Sequence, residues 1–336
     1  MKVLEATGVG IDAFRIVERS QGEVAANEVR IRAKAASLNF ADLLCHRDNV
    51  QGVVFPRVPL ADVAGEVVEI GSDVRAVAVG ERVFASHYPD WISGPMTVAK
   101  RQSMRHRGRQ IDGVAAEYLV LRAEELIPMP AHLSYVEAAT LPCAALTAWV
   151  ATTQAGLKPG ASVLLQGTGG VSLFALQFAL AAGAETWLIS SSDAKLERAK
   201  ALGLHHGLNY SQTPNWGSAI AAETGGRGMD LIVDMGGPTT INHSLEALAQ
   251  YGRIAQVGVL DGRDASYSIY QMLVKMAQIF GVACGSRDTT AEMAHAVDVH
   301  KIHPVVDRVF ELDELPGALR LLESQKFMGK IVVKIS

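Results

Sequence analysis

Apolar and polar residues alternate along the first third of the chain. Val29, Ile31, Ala33 and Ala35 are interleaved with Arg30, Arg32 and Lys34, the period-two pattern of a strand with one buried face. Residues 64–71, 79–84 and 113–120 read as three further short strands set off by glycine, so 14–121 is expected to form a β-rich, barrel-like domain. The pattern then changes. Ser134 and Glu137 have capping-box spacing and open a helix, which Pro142 interrupts and 146–155 resumes. From 163 onward, strands (163–165, 185–190, 229–234, 253–259) alternate with helices (173–182, 193–202, 239–249), the order of a parallel α/β sheet. After about 291 come a helix, Val305-Val306, a helix containing Pro316 and the strand 331–333. These last elements look like a return to the first domain.

The second pattern opens on the first chemical signal. Gln166-Gly167-Thr168-Gly169-Gly170-Val171-Ser172 lies between the apolar run 163–165 and the uncharged helix 173–182. A dinucleotide-binding turn needs this context: glycines let the backbone approach a pyrophosphate, which rests on the N–H groups of the helix start. Ser172 stands where GxGxxG has its third glycine, and taken alone the motif also fits any tight strand-to-helix turn.

Composition narrows the classes. A chain of 336 residues exceeds one typical domain, and 49% hydrophobic residues fit a well-buried globular protein. A net charge of -4 gives no basis for a nucleic-acid or anionic-membrane partner. Cys45, Cys143 and Cys284, odd in number and widely spaced, fit a reducing compartment and exclude a CxxC-type structural zinc site. No secretory leader and no run of about 18 apolar residues is found, so a cytoplasmic protein is expected. Residues 86–113 lack a clear period and carry Lys100, Arg101, Arg105, Arg107 and Arg109. A solvated loop is the expectation there, with an anion site as the alternative.

Taken in order, the motifs resemble the medium-chain dehydrogenase/reductase superfamily, in its zinc-independent, quinone-oxidoreductase-like and alcohol dehydrogenase-like branch. The resemblance spans nearly the whole chain. It rests on Ala36-Ser37-Leu38-Asn39-Phe40-Ala41-Asp42, Ala64-Gly65-Glu66-Val67, Val79-Gly80-Glu81-Arg82-Val83, Ala138-Ala139-Thr140-Leu141-Pro142 with Leu146-Thr147-Ala148, the glycine turn, Lys195-Leu196-Glu197-Arg198-Ala199, Asn209-Tyr210, Gly225-Gly226-Arg227-Gly228 and Gly329-Lys330. It implies an α/β protein with a Rossmann parallel-sheet domain (126–289) and a GroES-like β-rich catalytic domain (1–125 with 290–336). The active site is then expected in the cleft between them.

The resemblance also implies what to look for. The three catalytic-zinc positions of the metal-dependent branch fall on Asn39, on Ala61 before Asp62, and on Cys143. One thiol and a carboxylate fall short of three protein ligands, so no zinc is expected, and Cys143 reads as a small core residue in preference to a nucleophile. His46, His87 and His106 sit on separate loops and read as polar surface. The ribose-binding strand end falls near Ser191, with Ser192 and Lys195 following. Hydroxyls and a lysine suit a 2′-phosphate, which favours NADP(H); NAD(H) recognition by Asp193 is the alternative.

Asn39 and Thr147 are expected beside the nicotinamide. Asp42 either orients a water or serves as a helix-start acid. Tyr88 and Trp91 either wall an apolar substrate pocket or pack their loop. Gly167, Thr168, Gly169, Gly170, Val171, Tyr210, Gly236, Val257, Gly258 and Val259 are the remaining cofactor positions, and Lys330 either faces the cofactor cleft or lies on the surface. The expected activity is NADPH-dependent, metal-free hydride transfer to a small-molecule carbonyl, enone or quinone. A zinc-dependent alcohol dehydrogenase and a non-catalytic NADP(H)-binding redox sensor are the alternatives. The apolar run 269–282 is expected to pair Rossmann edge strands in a homodimer, a buried helix and strand being the other reading.

Overall fold

The computed structural model describes residues 1–47 and 52–336. The chain divides into two compact units, Met1–Leu146 with Cys284–Ser336, and Thr147–Ala283. The boundaries differ from 125/126 and 289/290 for a packing reason. The helix Tyr135–Ala138, closed by the Ser134–Glu137 capping box, and the turn Leu141–Ala145 lie against strands of the first unit.

That first unit is built on a seven-stranded sheet. Its long strand, Glu28–Ser37, buries Val29, Ile31, Ala33 and Ala35 and turns Arg30, Arg32 and Lys34 outward, as the alternation requires. It pairs antiparallel with Asp62–Ile70 on one side and with Lys330–Lys334 on the other. The last strand of the chain therefore lies within the sheet formed by the first. The strand expected at 113–120 begins later, at Tyr118. Gly113 is instead pressed onto the backbone of Pro59 and Leu60, where a Cβ would lie 2.2 Å from the Leu60 carbonyl oxygen. The basic cluster is only partly a solvated loop. Val98–Ser103 is a helix capped by Thr97, Arg105 pairs with Asp90, and Arg107 is buried against Glu125.

The second unit is a six-stranded, wholly parallel sheet. Ser162–Gln166 occupies a central place, Glu185–Ser190 and His206–Asn209 lie to one side, and Met229–Asp234, Leu248–Gln256 and Gln278–Gly281 to the other. The order reverses beside the first strand, where such sheets bind ligands. The helix expected over 239–249 is shorter, Ile241–Ala247, and runs directly into the strand at Leu248. The helix Ile269–Lys275 buries none of its residues, which overturns the buried-helix reading of the apolar run. Among the described residues no helix is long and apolar enough to cross a membrane.

Candidate active site

In the first unit, three strand ends and a helix start bring a set of polar side chains into the core. Leu38 is tied to the last strand by its N–H to the Ile331 carbonyl (3.0 Å), which places Asn39 beside Lys330. The helix Phe40–Arg47 starts there, and the Asp42 carboxylate accepts the Asn39 backbone N–H at 2.7 Å. This is half of a capping box, so the helix-start role of Asp42 is realised. Burial pushes the Asp42 carboxyl up to about 7; the Asn39 N–H opposes that rise and nearby Asp62 adds to it.

Asp62, the first residue of its strand, is 0% exposed. One carboxylate oxygen faces His87 Nδ1 at 2.7 Å; the other accepts Asn39 Nδ2 at 2.8 Å and the Cys143 N–H at 3.2 Å. Asn39 Oδ1 in turn accepts Lys330 Nζ at 2.6 Å, and the same ammonium donates to the Leu38 carbonyl at 2.5 Å. A cation on one side and an anion on the other fix which way the Asn39 amide faces. Expected to face the cofactor, Lys330 is instead 4% exposed, its ammonium spent on Leu38 and Asn39. Burial alone would lift the Asp62 carboxyl, but the charge and hydrogen bond of His87, the Lys330 charge and the Asn39 amide hold it below the usual range.

His87 is not polar surface. It is 3% exposed, with its ring edge-on to Tyr88 (4.7 Å between centroids) and His106 (5.0 Å). Burial opposes its positive charge, but its neighbours Cys143, Asp62 and Asp42, Asp62 by both charge and hydrogen bond, outweigh this and raise it above the ordinary imidazole range. Cys143 holds its own proton, since a hydrogen bond with Cys284 and burial push its thiol well above the ordinary range; Asp62 is therefore the partner that matters. Burial and the neighbouring His87 charge bring His106 down to about 4, so it is neutral. Its Nδ1 donates to the Arg107 carbonyl at 2.7 Å. His46 is also buried, and burial lowers it to about 4. Tyr88 and Trp91 lie 6.5 Å apart beside these rings, and the Trp91 indole donates to the Gly94 carbonyl.

Asp62, His87 and Cys143 bring three donor atoms within 4.8 Å of one another. The donor count is thus one higher than the two expected. In this arrangement the three side chains are engaged with one another and with neighbouring protein groups. Ligands on a tetrahedral zinc stand roughly 3.3 Å apart, given metal–ligand distances of about 2.0–2.2 Å. His87 and Asp62, at 2.7 Å, share a proton instead. Both Asp62 oxygens are occupied by protein donors, and the buried Lys330 ammonium lies behind Asn39.

The second unit holds the glycine turn. Gly167 has φ +74°, Gly169 caps the helix Gly170–Ala181, and a Cβ added to either would meet nothing within 4 Å. Space is therefore open on the Cβ side of both glycines, while the Gly167 N–H is donated to the Ile189 carbonyl at 2.8 Å. Buried Ser172 donates to the Gln166 carbonyl at 2.6 Å, stitching helix to strand where a third glycine would only allow close approach. Gln166 and Asp234, which the motifs do not flag, pin the strand ends together. Gln166 Nε2 donates to Asp234 at 3.0 Å and Gln166 Oε1 accepts the Met235 N–H (3.0 Å) and the Gly236 N–H (3.4 Å). The Asp234 carbonyl accepts the Val257 and Gly258 N–H groups, which brings Gly236, Val257, Gly258 and Val259 together at one end of the sheet. Thr147 is buried on the helix Leu146–Gln154.

At the second strand end Ser191 is exposed, and Ser192 caps the helix Asp193–Lys200 by accepting the Lys195 N–H. Tyr210, 40% exposed, bonds through its N–H to the Ser190 carbonyl. Asp193 is committed on both oxygens, to Asn209 (2.9 Å) and Gln212 (2.8 Å).

Comparison with known proteins agrees with both units. Residues 25–131 match the alcohol dehydrogenase GroES-like domain and 170–298 the zinc-binding dehydrogenase domain. A zinc-type alcohol dehydrogenase-like protein of Schizosaccharomyces pombe is 39% identical over 92% of this chain and 91% of its own length. An acryloyl-coenzyme A reductase of Metallosphaera sedula is 27% identical over 95% and 96%. The crystal structure of an NAD-dependent alcohol dehydrogenase superposes with a TM-score of 0.91, at 30% identity, over 100% of both chains.

Proposed function

We propose, from the fact that the chain belongs to the medium-chain dehydrogenase/reductase superfamily and is an oxidoreductase, that it transfers a hydride from NADPH to a carbonyl, enone or quinone without a metal. The observation that carries this reading is the Lys330–Asn39–Asp62–His87 chain, which occupies both oxygens of Asp62 and provides its own buried cation. When bound, NADPH supplies the hydride. The turn Gly167–Val171 receives its pyrophosphate, Gly236 and Val257–Val259 border it, and Thr147 of the same unit takes the nicotinamide end. Tyr88 and Trp91 give the substrate an apolar wall.

The choice of NADPH rests on the exposed Ser191 hydroxyl, with Ser192 and Lys195 behind it and Tyr210 at the adenosine end, while the Asp193 carboxylate is spent on Asn209 and Gln212. With a panel of enones, quinones and aldehydes, NADPH is expected to be oxidised with a kcat/KM at least tenfold above that of NADH. Ser191→Asp should reverse the preference, because a carboxylate repels the 2′-phosphate and accepts from ribose hydroxyls. Cofactor binding by fluorescence with no oxidation across the panel would sink the enzymatic reading in favour of a redox sensor.

We further infer a cytoplasmic homodimer. Tyr270 (76% exposed) and Leu273 (69%) stand on a helix with no buried residue, next to the edge strand Gln278–Gly281. Such an apolar patch beside an open sheet edge favours association with a second copy. Leu273→Glu should give a monomer in sedimentation velocity where the wild type sediments as a dimer; a monomeric wild type at micromolar concentration would refute the inference.

A further inference from the structure

We propose that Asp234 is a positioning residue for the cofactor: with Gln166 and Gln256 it sets the loops that take the pyrophosphate and nicotinamide portion, and leaves the adenosine end alone. This rests on the NADPH reading above and deepens it, dividing the cofactor site into two separately supported halves.

Gln166, Asp234 and Gln256 are the last residues of three neighbouring parallel strands. Asp234 is 0% exposed. One of its carboxylate oxygens accepts Gln166 Nε2 at 3.0 Å and Ser244 Oγ at 2.7 Å. The other accepts Thr240 Oγ1 at 2.7 Å and the Gly237 N–H at 3.0 Å. Gln256 Nε2 lies 3.5 Å from that second oxygen and donates to the Gly258 carbonyl at 2.8 Å. These donors are all neutral, so the buried carboxylate depends on each of its hydrogen bonds. A buried polar network satisfied in this way holds one arrangement.

What it holds is the backbone around the glycine turn. The loop after Asp234 is tied to Gln166 Oε1 by the Met235 and Gly236 N–H groups. The loop after Gln256 is tied to the Asp234 carbonyl by the Val257 and Gly258 N–H groups. The two loops meet backbone to backbone: a Cβ on Gly258 would lie 1.8 Å from the Met235 carbonyl oxygen. Ser172, on the helix that follows the glycine turn, is fastened to the Gln166 carbonyl. The Asp234 network therefore reaches the turn and both loops on that side. Ser191, Ser192 and Lys195 follow the strand Glu185–Ser190, on the opposite side of Ser162–Gln166. Sheets of this kind bind ligands across such a divide.

Two ligands separate positioning from a general structural role. Asp234→Asn keeps the size of the side chain but exchanges an acceptor oxygen for a donor, so the pair of donors on that side loses its partner. NADPH is expected to bind ~10–100-fold more weakly in a fluorescence titration, the effect of buried donors left unpaired. Adenosine 2′,5′-bisphosphate, which carries only the adenosine half, should keep its dissociation constant within about twofold by calorimetry. Equal weakening of both ligands, or an NADPH affinity equal to that of the wild type, would overturn the assignment. Should Asp234→Asn fail to fold, Ser244→Ala decides. Its hydroxyl is buried on the helix Ile241–Ala247 and bonds Asp234 and Gln166. The same split is expected, with NADPH weakened ~3–10-fold for one lost hydrogen bond, and its absence would contradict the proposal. A wild type that binds neither ligand would instead bring down the NADPH reading, and the assignment with it.

Discussion

Asp62→Ala is expected to lower the stability of the protein by about 3–5 kcal/mol, the cost of leaving a buried charge without its partner, and to reduce turnover to background. Three groups lose their acceptor at once: His87 Nδ1, Asn39 Nδ2 and the Cys143 N–H. His87 and Asn39 are themselves buried, at 3% and 8% exposure. The pH dependence should change too. His87 is raised above 6.5 by Asp62 and its other neighbours, so its contribution is fully present below the unfolded value and is lost as pH rises through the folded one. Asp62 is lowered from 3.8, so its contribution is present above that value and is lost as pH falls through the folded one. The wild type should therefore lose stability at both ends of this window, whereas the variant should show neither loss from this pair. Thermal or urea unfolding from about pH 2 to 10 reads this directly; an unchanged wild-type profile in the variant would refute the coupling.

Lys330→Met is expected to cost about 2–4 kcal/mol, since the Leu38 carbonyl and Asn39 Oδ1 lose a buried charged donor. The Asn39 amide would then be free to turn, Asp62 would lose one of its supports, and the Asp42 carboxyl, which Lys330 also holds down, would rise further. Methionine keeps most of the length and volume, so the loss isolates the ammonium. Lys330→Arg should not restore the wild type, because a planar guanidinium cannot take the place of a compact ammonium at 4% exposure. Kinetics distinguish this from a lysine that grips the cofactor. Here kcat falls and the NADPH dissociation constant stays; a cofactor contact would raise that constant and leave kcat alone.

Much of the scaffold could be read from local pattern. The strand Glu28–Ser37 shows its buried face in consecutive residues, and the parallel sheet announces itself by alternation of strand and helix. The glycine turn was visible because a phosphate cradle is a contiguous stretch of backbone. Ser172 illustrates how a departure from a motif can be neutral: its hydroxyl does the stitching through Gln166. The polar cluster was not visible, because its partners come from distant segments. His87 and Asp62 are 25 residues apart, and Lys330 meets Asn39 across 291. Nothing near His87 in the chain distinguishes it from His46 or His106, and only the pairing of strand ends supplies its carboxylate. Asp42, Asn39 and Lys330 were marked by family pattern; Asp42 takes the helix-start role that was one of its two readings, and the Lys330 ammonium bonds Leu38 and Asn39. Gln166 and Asp234 escaped notice for the same reason, being joined across neighbouring strands.

Hydride transfer without a metal is the central proposal. The measurement that meets this most directly is NADPH oxidation by protein freed of metal with a chelator, with zinc determined by mass spectrometry on the same sample. An undiminished rate at far less than stoichiometric zinc is expected. A rate that is abolished by the chelator and restored by stoichiometric zinc would contradict it, and would mean that Asp62, His87 and Cys143 rearrange to bind the ion.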